Sequence, residues 1–180
     1  MTIPNIISFT RLVGVLFLIY FGFIDINYVV VLILFAYAGI SDWLDGFLAR
    51  KLQQFSDLGA KLDPLADRLY IVTALFIVLN NELIPIWVVF TLILREVGLG
   101  LFYLLLRYRR FDIPPVHYIG KAGTLMLMYA FPILILSDFE LEASETFKFI
   151  GISFLAWAIV TYWYAGYLYL RQGIQALKGN

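Results

Sequence analysis

The stretch DWLDGFLARKLQQFSDLGAKLDPLAD, residues 42–67, decides the fold of this chain. It places Asp42, Asp45, Asp63 and Asp67 in or beside segments that are otherwise apolar enough to span a bilayer. A carboxylate at membrane depth costs roughly 2.5–3.5 kcal/mol, so four of them without compensation would disfavour the fold by about 10 kcal/mol. The sequence therefore predicts that positive charge lies among these four carboxylates.

The spacing of the aspartates predicts two helices that each present a pair of carboxylates on one face. Asp42 and Asp45 are three residues apart, Asp63 and Asp67 are four apart, and helix positions at these separations are neighbours. Four oxygen ligands converging between two helices suit hard divalent cations such as Mg²⁺ or Mn²⁺. The chain has no Cys and a single His, which argues against a zinc or copper site.

Small residues and one arginine lie between the two pairs. Gly46, Ala49 and Gly59 permit the close approach of a ligand or of a neighbouring helix. The guanidinium of Arg50 can donate two parallel hydrogen bonds to a phosphate. Phosphoryl chemistry is indicated by the combination of acids that can bind a metal, small residues that give a ligand access and an arginine that can bind phosphate.

Written as a pattern, the stretch is D-x2-D-G-x2-A-R-x8-G-x3-D-x3-D. This resembles the signature of the CDP-alcohol phosphatidyltransferase family at all eight positions and at every spacing. TIPNIISFTR, residues 2–11, and DPLADR, residues 63–68, are similar to segments of the phosphatidylglycerolphosphate synthases and cardiolipin synthases of this family. The resemblance covers most of the chain and is sharp up to about Arg68.

The resemblance implies transfer of a phosphatidyl group from CDP-diacylglycerol to an alcohol, with release of CMP. A diphosphate cleaved in line needs its charge neutralised, which two cations do in two-metal phosphoryl enzymes. Asp42, Asp45 and Asp63 are the predicted ligands of Mg²⁺ or Mn²⁺. Asp67, one turn beyond Asp63, could contact the second metal and accept the proton of the attacking hydroxyl, and the resemblance assigns it this role of catalytic base.

The remaining four positions of the pattern match the family's contacts to the cytidine diphosphate, with the glycines making room and the arginine meeting the diphosphate. These predicted CDP-binding residues are Gly46, Ala49, Arg50 and Gly59. The diacyl tails can stay in lipid, so we expect a groove that opens sideways to the bilayer.

Composition predicts an integral membrane protein. Of the 180 residues, 62% are hydrophobic and 14% charged, against about 45–50% and about 25% in soluble domains. The net charge near zero gives no indication of a nucleic-acid partner. Six apolar runs approach the length of about 20 residues that crosses a bilayer: residues 10–24, 28–48, 64–80, 84–106, 119–137 and 147–170.

The predicted fold is an all-α bundle of six transmembrane helices. Residues 2–9 are short and amphipathic, and predict an additional N-terminal helix lying at the membrane interface. No internal repeat or long linker is found, so we expect a single domain over residues 1–180, and the resemblance implies a homodimer. Trp157, Trp163, Tyr164 and Tyr167 could serve the dimer interface or face lipid.

Orientation follows from the distribution of Lys and Arg. With the N-terminus in the cytosol, the outer loops hold only Lys148 among the basic residues. The same loops carry most of the acidic residues outside the site: Asp25, Glu82, Asp138, Glu140, Glu142 and Glu145. We therefore expect a multi-pass protein of the cell membrane with both termini and the active site in the cytosol.

The eight-position pattern does not identify the acceptor alcohol, so residues outside it must indicate which acceptor is used. A phosphate-bearing acceptor such as glycerol 3-phosphate needs basic residues near the metals, and those that could reach that face are Arg11, Lys61, Arg107, Arg109, Arg110 and Lys121. Arg95 and Glu96, inside the fourth span, are either part of an acceptor site or a buried pair that holds two helices in register. His117, the single histidine, is either an acceptor-binding residue or a plain interfacial histidine.

On this basis we expect glycerol 3-phosphate to be the acceptor, as in a phosphatidylglycerolphosphate synthase. The alternative is phosphatidylglycerol, as in a CMP-forming cardiolipin synthase, because the run VGLGLFYLLL, residues 97–106, lacks the arginine that the phosphatidylglycerolphosphate synthases tend to carry there. A remoter alternative is a cation transporter that uses the four carboxylates as its ion path. A transporter would need polar groups distributed through the bilayer, whereas these acids are predicted at one face.

Overall fold

The computed structural model describes residues 3–52, 59–109, 118–139 and 141–178, and its regular elements are all helical. This confirms the all-helical prediction. The helices are α1 (Ile3–Ile19), α2 (Tyr28–Leu52), α3 (Gly59–Asn80), α4 (Ile86–Tyr108), α5 (Tyr118–Leu136) and α6 (Ser144–Lys178), and a π-helical segment (Tyr20–Ile24) extends α1.

The N-terminal residues differ from expectation in one respect. Residues 3–9, which we expected to form a separate interfacial helix, are the first turns of α1 and run without a break into the first span. Pro4 lies in the first turn, where its missing N–H leaves no helical bond unmade, and no glycine or proline follows before Gly14. The sequence therefore contains no residue that would end a helix between the two predicted segments.

Four described helices are long and apolar enough to cross a membrane, namely Ile7–Ile24, Ile86–Tyr108, Ile119–Leu136 and Ser144–Gln175. Tyr28–Leu44, in α2, is a shorter apolar segment. Large apolar side chains such as Leu16, Phe90 and Trp157 are exposed on these helices. In a membrane such side chains face lipid rather than water, and the protein is an integral membrane protein.

Contacts within the chain group it into two units, and the prediction of a single domain stays a prediction. In the first unit, Met1–Asn81, α1 packs on both α2 and α3. Leu18, Val31 and Ile77 are fully buried between these helices. A Cβ atom on Gly22 would overlap the side chain of Ile77, so the glycine permits α3 to approach the π-helical segment closely.

In the second unit, Glu82–Asn180, α6 packs along α5 and also contacts α4. A Cβ atom on Gly151 of α6 would lie 2.8 Å from Cγ of Leu134 in α5. A Cβ on Gly123 of α5 would lie 3.1 Å from Cδ2 of Tyr162 in α6. Small residues thus let the two helices pack at short range, as in other helix pairs of membrane proteins.

Candidate active site

Three helices of the first unit meet at one guanidinium group. Nη1 of Arg11, in α1, donates a hydrogen bond to Oδ1 of Asp42 in α2 at 2.9 Å. The same nitrogen donates to Oδ1 of Asp67 in α3 at 3.1 Å. The predicted positive charge among the carboxylates is therefore present, and part of it comes from the first helix.

Burial differs sharply between the partners. The Arg11 side chain is 0% exposed, whereas the side chains of Asp42 and Asp67 are 52% and 42% exposed. The arginine therefore pairs with the carboxylates from inside the helix packing, while a ligand can reach both carboxylates from outside. Because charge-assisted hydrogen bonds are stronger than neutral ones, this pairing offsets much of the energy needed to bury the guanidinium.

Two further contacts fix α1 beside its neighbours at the same level. The hydroxyls of Thr10 in α1 and Tyr37 in α2 share a hydrogen bond of 2.6 Å. One turn along α1 from Arg11, Gly14 lies against the hydroxyl of Tyr70, which is one turn beyond Asp67 in α3. A Cβ atom on Gly14 would overlap that hydroxyl. The ring of Tyr70 also packs edge-on against Phe35 of α2.

The other residues of the pattern lie on the helices that the spacing argument requires. Asp45, Gly46, Ala49 and Arg50 belong to α2, and Gly59, Lys61 and Asp63 belong to α3. The burial and the contacts of these seven residues lie outside the described part of the structure. Their assignment as metal-binding, CDP-binding or acceptor-binding residues stays a prediction.

The described side chains have the donor chemistry that a hard cation prefers. Asp42 and Asp67 supply oxygen donors from two different helices, and their Oδ1 atoms touch the same nitrogen, so these donors converge. Among the described side chains no cluster of three or more Asp, Glu, His or Cys residues could hold a metal. Asp45 and Asp63 would complete the predicted set of four ligands.

A second polar cluster lies in the other unit. Nη1 of Arg95 is 2.5 Å from Oε1 of Glu96, and the Tyr162 hydroxyl donates to the same carboxylate oxygen at 2.5 Å. The Arg95 guanidinium also stacks over the Tyr162 ring, with 3.8 Å between Cζ and the ring centroid. This cluster joins α4 to α6, which favours the reading of Arg95 and Glu96 as a pair that holds two helices in register.

The remaining acceptor candidates have simpler surroundings. Arg107 and Arg109 are exposed at the C-terminal end of α4, and Lys121 is exposed in the first turn of α5. Arg110 and His117 lie outside the described residues. No described contact assigns any of these residues to an acceptor, so their proposed role stays a prediction.

The sequence analysis groups Arg11 with the basic residues available to an acceptor phosphate and does not predict its contacts with the aspartates. The structure corrects this, because Arg11 is fully buried and bonded to Asp42 and Asp67. A usable signal was present in the sequence. An arginine followed by an apolar run within a membrane span requires an acidic partner.

Comparison with known proteins agrees with this site. The sequence model for CDP-alcohol phosphatidyltransferases matches residues 1–170. A CMP-forming cardiolipin synthase of Streptomyces coelicolor is 43% identical over 178 residues, which cover 96% of this chain and 82% of the relative. The CDP-diacylglycerol--glycerol-3-phosphate 3-phosphatidyltransferase of Bacillus subtilis is 33% identical over 147 residues, covering 81% of this chain and 74% of the relative.

The human CMP-forming cardiolipin synthase is also similar, at 38% identity over 115 residues, which cover 63% of this chain and 38% of the human protein. The match to the family model spans far more than half of the chain. The chain therefore belongs to the CDP-alcohol phosphatidyltransferase family, and it is a membrane-embedded phosphatidyltransferase of phospholipid biosynthesis. Membership of this family sets the cation-transporter alternative aside.

Proposed function

We propose that the protein is a CMP-forming cardiolipin synthase, which transfers the phosphatidyl group of CDP-diacylglycerol to phosphatidylglycerol. The observation that carries the proposal is the 43% identity to the Streptomyces coelicolor cardiolipin synthase over 96% of this chain. The Bacillus subtilis relative, which is named for glycerol 3-phosphate, is less similar, at 33% identity over 81% of the chain.

The structure also weakens the reason for preferring glycerol 3-phosphate. That preference relied on a surplus of basic residues near the site, which a small dianion needs more than a lipid that enters from the bilayer. Arg11 is bonded to Asp42 and Asp67, and Arg95 is bonded to Glu96. Two of the arginines considered for a soluble phosphate are thus already paired with carboxylates.

In the proposed reaction, a hydroxyl oxygen on the terminal glycerol of phosphatidylglycerol attacks the phosphorus that carries the diacylglycerol group. The new P–O bond forms as the bond to the bridging oxygen of the diphosphate breaks, and CMP leaves with that oxygen and its electron pair. The proton of the attacking hydroxyl passes to the carboxylate of Asp67. Asp67 suits this role because its carboxylate is reachable from outside while Arg11 holds one of its oxygens.

Asp42, Asp45, Asp63 and Asp67 would hold two Mg²⁺ or Mn²⁺ ions, which neutralise the charge of the diphosphate when bound. The pattern residues Gly46, Ala49, Arg50 and Gly59 are proposed to bind the cytidine diphosphate. The donor set contains only hard oxygen ligands, which favours these cations over zinc or copper.

The test is a choice of acceptor. Purified protein in detergent is given Mg²⁺ and CDP-diacylglycerol, with either phosphatidylglycerol or glycerol 3-phosphate in separate reactions. CMP release and the product lipid are measured in each. We expect cardiolipin from phosphatidylglycerol and CMP release that requires the acceptor. Formation of phosphatidylglycerolphosphate alone would overturn the proposal and establish the second candidate, a phosphatidylglycerolphosphate synthase, which the similarity to the Bacillus subtilis enzyme favours.

A further inference from the structure

The first helix contributes to the carboxylate cluster through a residue outside the eight-position pattern. We propose that Arg11 is a positioning residue for phosphatidyl transfer: its guanidinium holds Asp42 and Asp67 in the relative orientation that the transfer step requires. This inference rests on the proposed function, because it assigns Arg11 to that reaction. Arg11 itself is buried, so it acts through the two aspartates and does not touch the substrate.

The geometry of the contact supports an orienting role. One nitrogen, Nη1, donates to Oδ1 of both carboxylates at 2.9 Å and 3.1 Å. Each bond engages a single carboxylate oxygen and restricts the rotation of that group about its last side-chain torsion. The planar guanidinium has fixed donor directions, which an ammonium group lacks. Arg11 can therefore hold carboxylates from two different helices in one relative orientation.

The position of the guanidinium is itself determined by its neighbours. Thr10 and Tyr37 join α1 to α2 at the adjacent residue. Gly14 and Tyr70 bring α1 and α3 into contact one turn further along. Phe35 packs against the ring of Tyr70 and so supports it from α2. With contacts to both neighbouring helices, α1 cannot easily slide or rotate, and the guanidinium remains beneath the two carboxylates.

An orienting role and a merely structural role predict different effects of removing the charge. Without the guanidinium, a divalent cation near Asp42 and Asp67 no longer experiences the repulsion of a fixed positive charge, so cation binding should become tighter. Catalysis should nevertheless become slower, because the carboxylates are no longer held in place. Loss of folded protein would lower activity but would not tighten cation binding.

The experiment compares Arg11→Met, Arg11→Lys and Leu18→Ala with the wild-type protein. Met keeps much of the length of the side chain without its charge, and Lys keeps the charge without the planar donor group. Leu18 is fully buried two turns along the same helix, so Leu18→Ala is a matched control for loss of packing. Each purified protein is titrated with Mn²⁺ by calorimetry without substrate, melted with and without Mg²⁺, and assayed for kcat at saturating Mg²⁺.

For Arg11→Met we expect Mn²⁺ to bind about tenfold more tightly. This is the effect on affinity expected from removing the repulsion between one unit charge and a divalent cation in a solvated site. We expect kcat to fall by about 10²-fold, the scale of a small misplacement of catalytic groups. The increase in melting temperature on adding Mg²⁺ should be larger than in the wild type, because the cation then supplies the missing positive charge. Leu18→Ala should melt at a lower temperature with an unchanged Mn²⁺ affinity.

Arg11→Lys decides the question if the Met variant does not fold. We expect its Mn²⁺ affinity to stay close to the wild-type value while kcat falls by roughly tenfold, since the charge is kept and the orientation is lost. Wild-type kcat in Arg11→Lys would overturn the proposal, as would weaker Mn²⁺ binding in Arg11→Met. If the wild-type protein turns over only with glycerol 3-phosphate, the proposed function fails, while the same variants assayed with that acceptor still test this inference.

Discussion

Arg11 carries its charge at a position with no solvent-exposed surface, and it does so because two carboxylates lie within hydrogen-bonding distance. That an arginine in a membrane span needs acidic partners follows from its sequence context. The sequence context does not identify these acidic partners, because Asp42 and Asp67 are 31 and 56 residues away along the chain. Only the packing of α1 on α2 and α3 determines that choice.

At the same scale, Asp67→Asn should abolish most turnover while leaving the fold and the binding of CDP-diacylglycerol in place. The amide oxygen of Asn can still accept the hydrogen bond from Arg11, so the contact between α1 and α3 is kept. The amide cannot accept the proton of the attacking hydroxyl. CMP release and CDP-diacylglycerol binding, measured on the same preparation, test this expectation.

Asp42→Asn is the matched comparison, because Asp42 makes the equivalent bond to Arg11 but is expected to act only as a metal ligand. We expect it to weaken both Mg²⁺ and CDP-diacylglycerol binding, since a ligand contributes to the ground state as well as to the transition state. A near wild-type rate in Asp67→Asn would show that another group is the base.

At the scale of the helices, the apolar runs were sufficient to predict six helices, four of which are long and apolar enough to cross a membrane, and the observed bounds differ from the predicted ones by a few residues at most ends. The largest differences are at the two termini of the chain, where α1 begins at Ile3 and α6 continues to Lys178. The pairing of helices could not be predicted, because each helix exposes large apolar side chains in addition to those that it buries. Contacts such as that of Gly14 with Tyr70 depend on which faces meet.

That contact gives a prediction about α1 and α3. Gly14→Ala should destabilise the protein by about 1–3 kcal/mol, the usual size of overpacking, because the new Cβ overlaps the Tyr70 hydroxyl. Tyr70→Phe should restore most of the loss in the double variant. The Tyr70 hydroxyl has no hydrogen-bond partner among the described residues, and the Tyr70 Cζ atom would be 3.5 Å from the new Cβ, an ordinary contact.

Melting temperatures of the wild type, the two single variants and the double variant form a complete cycle for this prediction. Tyr70→Phe alone should have a small effect, since it removes a buried polar atom that lacks a described partner. If the double variant is as unstable as Gly14→Ala, the overlap at the hydroxyl is not the cause of the destabilisation.

For the whole molecule, the orientation in the membrane remains the prediction made from the basic residues, with the active site in the cytosol. The chain has no cysteine, so single cysteines can be introduced without removing native ones. Glu142 precedes α6 and Arg109 follows α4, and both are exposed. We expect Glu142→Cys to react with an impermeant maleimide in intact cells and Arg109→Cys to react only after the membrane is opened. The reverse labelling pattern would contradict the prediction.

The sequence was least informative about properties that depend on a second molecule. The acceptor alcohol is recognised by residues outside the pattern, and Lys61, Arg107, Arg109 and Lys121 have no described contact that reveals a ligand. The homodimer also stays a prediction. Exposed aromatic residues of α6, including Trp157 and Tyr167, are equally suited to lipid and to a partner helix.

Because α6 is long, the position of its ends relative to the membrane should depend on the thickness of the bilayer. Its 35 residues rise about 52 Å at 1.5 Å per residue, whereas the hydrocarbon core is about 30 Å thick. Tilts of up to about 40° absorb only part of this excess length, so one or both ends of α6 must leave the core. Its C-terminal end carries Arg171 and Lys178, which suits the anionic head-group layer. Reconstitution in lipids of increasing chain length should therefore draw these basic turns towards the bilayer, and their protection from proteolysis should increase with acyl-chain length.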